Sequence, residues 1–197
     1  NMLSLKNSLA VLRKTNALLE GHFVLSSGLH SSKYIQCAKL LSYPHLSKKI
    51  CFSLSRKIKK QFKNIDLILS PAIGGIIIGY EIGRLLNKET IFCERVNKKF
   101  NLRRGFFIKK NSKVLIVEDV ITTGKSALEC SKLVKKFKAK DIGFACLIDR
   151  SGKKKIKIKS NQIVSQVKIN VPTYNKKNIP EFLKKIPTTS PGSKRLK

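Results

Sequence analysis

Short apolar runs alternating with helical segments are what most constrain the fold of this chain. Leu67-Ile68-Leu69, Thr90-Ile91-Phe92-Cys93, Val114-Leu115-Ile116-Val117 and Ile142 to Ile148 are brief and largely apolar on both faces. Between them stand longer segments with helical spacing, Gly75 to Leu86 and Ser126 to Phe137. Strands buried on both faces and separated by helices build a parallel sheet flanked by helices, so the pattern predicts an α/β fold. Ligands of such sheets bind at the carboxyl ends of the strands, which points to the loops after Leu69, Cys93, Val117 and Ile148.

Ahead of this alternation, Leu5, Leu9 and Leu12 predict an amphipathic helix that continues to about Leu18-Leu19 and is broken by Gly21. His22 to Leu25, a turn-rich Ser26 to Ser32, and Tyr34 to Cys37 read as strand, loop, strand: a small N-terminal hood. From Pro44, Ile50, Leu54, Ile58 and Phe62 recur at steps of four, predicting a helix to about Phe62. After Ile148, a final strand is expected over Gln162 to Ile169 and a short helix near Glu181, with the last ten residues frayed or extended. A chain of 197 residues suits one domain, with helix and hood over 1–43, the α/β core over 44–174 and a C-terminal extension over 175–197.

The net charge of +31 attracts polyanions without choosing among them. The run Lys153-Lys154-Lys155-Ile156-Lys157-Ile158-Lys159 has no aromatic residue interleaved, whereas a single-strand groove needs stacking platforms, so it reads as a solvated surface and nucleic acid is not expected as a partner. No stretch reaches the roughly 18 apolar residues of a membrane span, and the opening residues lack a signal-peptide hydrophobic region. The five cysteines are odd in number and scattered, with no C-x-x-C pair, which predicts reduced thiols in a cytoplasmic protein, Cys93 and Cys146 among them in the core. His22, His30 and His45 read as structural or surface residues, and no protein-held metal is expected.

The chemistry concentrates in Val114 to Ser126: a buried strand, the carboxylates Glu118 and Asp119, then Val120-Ile121-Thr122-Thr123-Gly124-Lys125-Ser126 opening a helix. Unpaired N–H groups and the positive helix end, flanked by hydroxyls and Lys125, suit a monophosphate. Adjacent carboxylates suit the vicinal hydroxyls of a sugar, accepting from both at once. A nucleoside-triphosphate loop would require glycine where Asp119 stands, and its carboxylate would repel the phosphates. Pro71-Ala72-Ile73-Gly74-Gly75 follows one buried strand, and its backbone amides suit a diphosphate. Arg150 follows another, where a guanidinium can hold an anionic substrate bidentately, with Asp149 placed to orient it.

The segment Val114 to Ser126 resembles the signature of the type I phosphoribosyltransferases. Within them, Gly21 to Tyr34, Ser70 to Gly75, Glu94-Arg95 with Leu102 to Phe106, and Asp149 to Gly152 are similar to the orotate phosphoribosyltransferases, with an echo at Pro191-Gly192-Ser193. The resemblance implies transfer of ribose 5-phosphate from 5-phosphoribosyl-1-diphosphate to orotate, in a homodimer, with Mg2+ carried by the diphosphate. It implies that Glu118, Asp119, Val120, Ile121, Thr122, Thr123, Gly124, Lys125 and Ser126 bind the phosphoribosyl group and Ala72, Ile73 and Gly74 the diphosphate. It assigns Thr122 and Arg150 to orotate, and Asp119, Arg95 and Lys99 to catalysis, with Lys98 competing with Lys99. Residues 95 to 105 then form a mobile lid shared across subunits. Two departures are Ser26, where some members have lysine, and the absence of His from the lid. The alternatives are transfer to another base, or a regulator on the same fold that binds nucleic acid without chemistry.

Overall fold

The computed structural model describes residues 2–25, 27–152 and 156–191. Ser26, lysines 153 to 155 of the lysine-rich run, and Gly192-Ser193 of the C-terminal echo lie outside the described residues.

The chain begins with α1 (Leu5–Lys14), β1 (Leu18–Val24), β2 (His30–Ile35), α2 (Cys37–Leu41) and α3 (Pro44–Gln61). The alternating part follows as β3 (Leu67–Pro71), α4 (Gly74–Leu86), β4 (Glu89–Val96), β5 (Lys99–Asn101), β6 (Lys113–Ile121), α5 (Lys125–Lys136) and β7 (Lys140–Asp149). It closes with β8 (Ile163–Lys168), β9 (Thr173–Tyr174), α6 (Glu181–Lys184) and β10 (Thr188–Thr189). The larger sheet has the order β5-β4-β3-β6-β7-β8; its pairs are parallel except β4 with the short β5.

Strand alternation divides the core in two. Ile68, Leu115, Val117, Ala145 and Leu147 face Leu12 of α1, Ile50, Leu54 and Ile58 of α3, and Ile78 and Ile82 of α4. Leu69, Ile91, Cys93, Val114, Ile116, Phe144 and Cys146 face Ala127, Cys130, Leu133 and Val134 of α5. Each fully buried Leu or Ile is worth about 1.5–3 kcal/mol, so covering both faces is what makes a six-stranded parallel sheet stable. From β3 the chain crosses by α4 to β4 on one side, and from β6 by α5 to β7 on the other. The crevice between β3 and β6 is therefore the switch point where a ligand site belongs.

The first helix is shorter than its periodicity predicts. It stops at Lys14 because Asn16 takes a left-handed φ of 55°, and Asn16 N–H bonds Arg13 O at 3.0 Å while Ala17 N–H bonds Leu12 O at 2.8 Å, a Schellman stop with Asn in the place of Gly. Leu18 and Leu19 consequently belong to β1. Cys37, expected in a strand, opens α2. The hood is a four-stranded sheet of order β10-β1-β2-β9, so both of its outer strands come from beyond residue 170. All five cysteines are free and buried. Among the described residues, no helix is long and apolar enough to cross a membrane.

Candidate active site

The loops after β3 and β6 meet across the crevice. A Cβ added to Gly75 would fall 3.0 Å from Pro71 Cδ and 3.2 Å from the Val117 carbonyl oxygen, and one added to Gly74 would fall 2.8 Å from Asp119 Oδ2. Glycine at both positions is thus a condition for bringing the start of α4 against the acid-bearing end of β6. Ala72 N–H bonds the Cys93 carbonyl at 2.8 Å, which fixes the base of the loop.

β6 extends through both acids to Ile121, so consecutive side chains leave opposite faces of the sheet. Asp119 points into the crevice toward Gly74, with Oδ1 accepting from Val120 N–H at 2.9 Å. Glu118 points to the α5 side, where it is 8% exposed and its Oε1 is closed from solvent without a hydrogen-bond partner. Burial first, then the neighbouring Asp119 charge, pushes the Glu118 carboxyl up to about 8, with Arg95 pulling it down. Burial also raises Asp119, against the pull of backbone N–H groups. The expected side-by-side pair of hydroxyl acceptors is instead a split pair, with Asp119 the one on the open crevice.

Beyond Ile121 the chain turns into α5. Gly124 caps the helix with a φ of 72°, and a Cβ there would meet Ile158 Cδ1 at 2.9 Å. Leu128 N–H makes the first helical bond, to Gly124 O at 2.9 Å, so the N–H groups of Lys125, Ser126 and Ala127 precede the intrahelical ladder. Lys125 N–H reaches Thr123 Oγ1 only at 3.4 Å. Thr123 and Lys125 are exposed, and Thr122 and Ser126 half-buried.

Arg150 is brought to the same turn by β7, its N–H bonding the Ile121 carbonyl at 2.8 Å, next to Thr122. Its guanidinium is half-buried, with Nε unpartnered among the described residues, and desolvation lowers its pKa. Asp149 does not orient it: Oδ1 accepts from Ser151 N–H at 2.8 Å and Oδ2 faces Lys168 at 3.9 Å.

The segment expected as a lid begins as a hairpin of β4 and β5 in the register Val96↔Lys99. Its turn residues Asn97 and Lys98 both have positive φ, 49° and 65°, the geometry of a two-residue type I′ turn. No Gly marks it, so the residue types alone do not announce a fixed turn here. Arg95 pairs with Glu129 of α5 at 2.7 Å, and Arg104 forks onto Glu94 at 2.9 and 3.0 Å. Lys99 lines a recess of about 380 Å3 with Lys98, Glu129, Lys132 and Lys136. It faces the middle and end of α5, whereas the phosphate turn is at that helix's beginning, so the structure does not bring Lys99 to Thr122–Ser126 of its own chain.

His22 and His30, read as structural, form a buried contact of 2.7 Å in the hood. Among the described residues, no group of three or more His, Cys, Asp or Glu could hold a metal. The acids at the site suit a sugar and an ion carried on diphosphate oxygens better than a protein cage.

An α/β crevice with a helix-capped anion turn, an acid at the strand end and a glycine loop opposite defines an enzyme class that handles phosphorylated ribose. The phosphoribosyl transferase domain family matches residues 40–177. The orotate phosphoribosyltransferase of Erythrobacter litoralis is 43% identical over 188 residues, covering 94% of this chain and 96% of that protein. The structure of orotate phosphoribosyltransferase from Aeropyrum pernix aligns with a TM-score of 0.62 at 23% identity, over 82% of this chain and 93% of that one. Adenine phosphoribosyltransferase from Thermoanaerobacter pseudethanolicus aligns with 0.58 at 18% identity, over 70% and 88%, so the fold alone does not select the base. The chain belongs to the phosphoribosyl transferase family, among the orotate phosphoribosyltransferases.

Proposed function

We propose that the protein transfers ribose 5-phosphate from 5-phosphoribosyl-1-diphosphate to orotate, giving orotidine 5'-monophosphate and pyrophosphate on the route to UMP. The observation that carries this is the half-buried Arg150, its Nε without a partner, tied by its backbone to the turn that holds Thr122. A partly desolvated guanidinium whose Nε has no partner among the described residues calls for an anion, and orotate is an anionic base whereas uracil and adenine are neutral.

In this reading Thr122 to Ser126 hold the 5-phosphate, Ala72 to Gly74 the diphosphate with its Mg2+, and Asp119 a ribose hydroxyl. The C1–O bond to diphosphate breaks as orotate N1 bonds to C1, the N1 proton passes to solvent, and the ribose carries oxocarbenium character between the two. Asp119 faces that developing positive charge, and backbone N–H groups face the phosphates. Arg95 and Lys98 or Lys99 would balance charge on the departing pyrophosphate.

Ile73, Ile77 and Tyr80 stand 85%, 55% and 68% exposed on one side of α4. This apolar stripe beside the diphosphate loop supports a homodimer, in which Lys99 can serve the partner's site. Five unpaired cysteines support a cytoplasmic location.

Absorbance of orotate, read with ribosyl diphosphate and Mg2+, tests the reading. Orotate consumption that falls about 100-fold in Asp119→Asn is the expected result. Consumption of adenine or uracil instead would reassign the base, and ribosyl diphosphate binding without turnover would favour a regulator.

A further inference from the structure

Glu129 stands on the second turn of α5, where neither motif nor spacing singles it out. Its Oε2 is closed from solvent and lies 2.7 Å from Arg95 Nη2, an ion pair that lacks hydrogen-bond alignment. Arg95 is held on two more sides, Nη1 donating to the Lys98 carbonyl at 2.8 Å and the guanidinium carbon lying 4.0 Å from the centroid of the Phe100 ring. The Lys98 and Phe100 contacts fasten Arg95 within its own hairpin. Of the three contacts, the one to Glu129 ties Arg95 itself to the helix whose N-terminus forms the phosphate turn, a helix on which Phe100 of the hairpin also packs.

We propose that Glu129 is a positioning residue: it holds Arg95, and through it the lid hairpin, in the orientation from which the guanidinium receives the diphosphate. This rests on the reading that the site handles a ribosyl diphosphate. Three physical points support it. An arginine stem left free must lose its rotamer entropy when it binds, and Glu129 removes that cost beforehand. The fork has five N–H donors, so contacts at Nη1 and Nη2 leave others for an oxyanion. Glu118, buried on the same side of the sheet, also attracts Arg95, and Glu129, at 2.7 Å, is the acid that pairs with it directly.

Glu129→Gln keeps the shape and removes the charge. In the whole protein it is expected to raise KM for ribosyl diphosphate and the inhibition constant of pyrophosphate about three- to tenfold, with KM for orotate unchanged. Glu129→Asp, which keeps the charge on a shorter arm, should fall between the two. In an Arg95→Ala background, Glu129→Gln should add no further loss, because the contact through which it acts is gone. Additive losses, an equal rise in KM for orotate, or tighter binding of ribosyl diphosphate would each overturn the proposal. If Glu129→Gln does not fold, the same cycle run with Glu129→Asp decides it. A wild type that turns over no orotate would instead overturn the functional reading, and calorimetric titration of ribosyl diphosphate into wild type and Glu129→Gln would still test the positioning role.

Discussion

Glu118 shows how burying a single acid ties stability to pH. Its carboxyl is pushed from 4.5 up to about 8, chiefly by burial and then by Asp119. Between those values the unfolded chain has lost the proton and the folded chain still holds it, so stability falls as pH rises through the window and levels off above it. The accumulated loss is on the order of 3–5 kcal/mol. We expect the melting temperature of the unliganded protein to drop from pH 5 to pH 8, and the drop to shrink in Glu118→Gln, as read by calorimetry. Gly74 is constrained from the other side of the sheet. Its added Cβ would lie 2.8 Å from Asp119 Oδ2, so Gly74→Ala should displace the carboxylate and lower kcat/KM for ribosyl diphosphate by about 10- to 100-fold, with little change in melting temperature because position 74 is exposed.

Among the elements, α4 and the lid hairpin show opposite uses of backbone. Gly75, Gly79 and Gly83 recur at steps of four along the face of α4 that meets the sheet, Gly79 lying against Ser70 and Gly83 against Thr90. That stripe lets the helix approach β3 and β4 closely enough for its N-terminal loop to reach the crevice. Gly83→Ala would gain about 1 kcal/mol of helix propensity. The new methyl would also stand 3.0 Å from the Lys88 carbonyl, and overpacking of about 1–3 kcal/mol should win, giving a lower midpoint in urea. In the hairpin, Lys98 occupies a left-handed conformation that glycine adopts without cost. Lys98→Gly should therefore raise the hydrogen-exchange protection of the Val96 and Lys99 amides, the pair that closes the turn. Signals for both elements were partly present in the sequence. The α4 glycines are visible there, but a glycine stripe reads equally as poor helix propensity until the sheet is placed beneath it.

At the scale of the molecule, the two ends of the chain are tied together through the hood. His22 Nδ1 donates to the Ile186 carbonyl at 3.1 Å, and its Nε2 lies 2.7 Å from His30 Nδ1. Leu183 is fully buried, and β10 adds a strand beside β1. The net charge of +31 works against this compactness. Raising salt to about 0.5 M should increase the melting temperature by screening lysine repulsion, an effect opposite in sign to that expected for a fold held by surface ion pairs.

The sequence by itself determined the alternation of strands and helices and the placing of Asp119, Thr122 to Ser126 and Arg150 at the carboxyl ends of the strands. These are local properties: apolar run length, turn-forming residues and strand-to-helix junctions are encoded within a few positions of one another. Only the tertiary structure decided that Glu118 and Asp119 part to opposite faces, that Gly74 meets Asp119, that Glu129 holds Arg95, and that residues beyond 170 complete the hood. Each of those depends on which side of a strand a residue faces and which distant segment packs there. A helix stop such as Asn16 shifts the register of everything after it, so such contacts are set by the closing of the whole core rather than by any one stretch of chain.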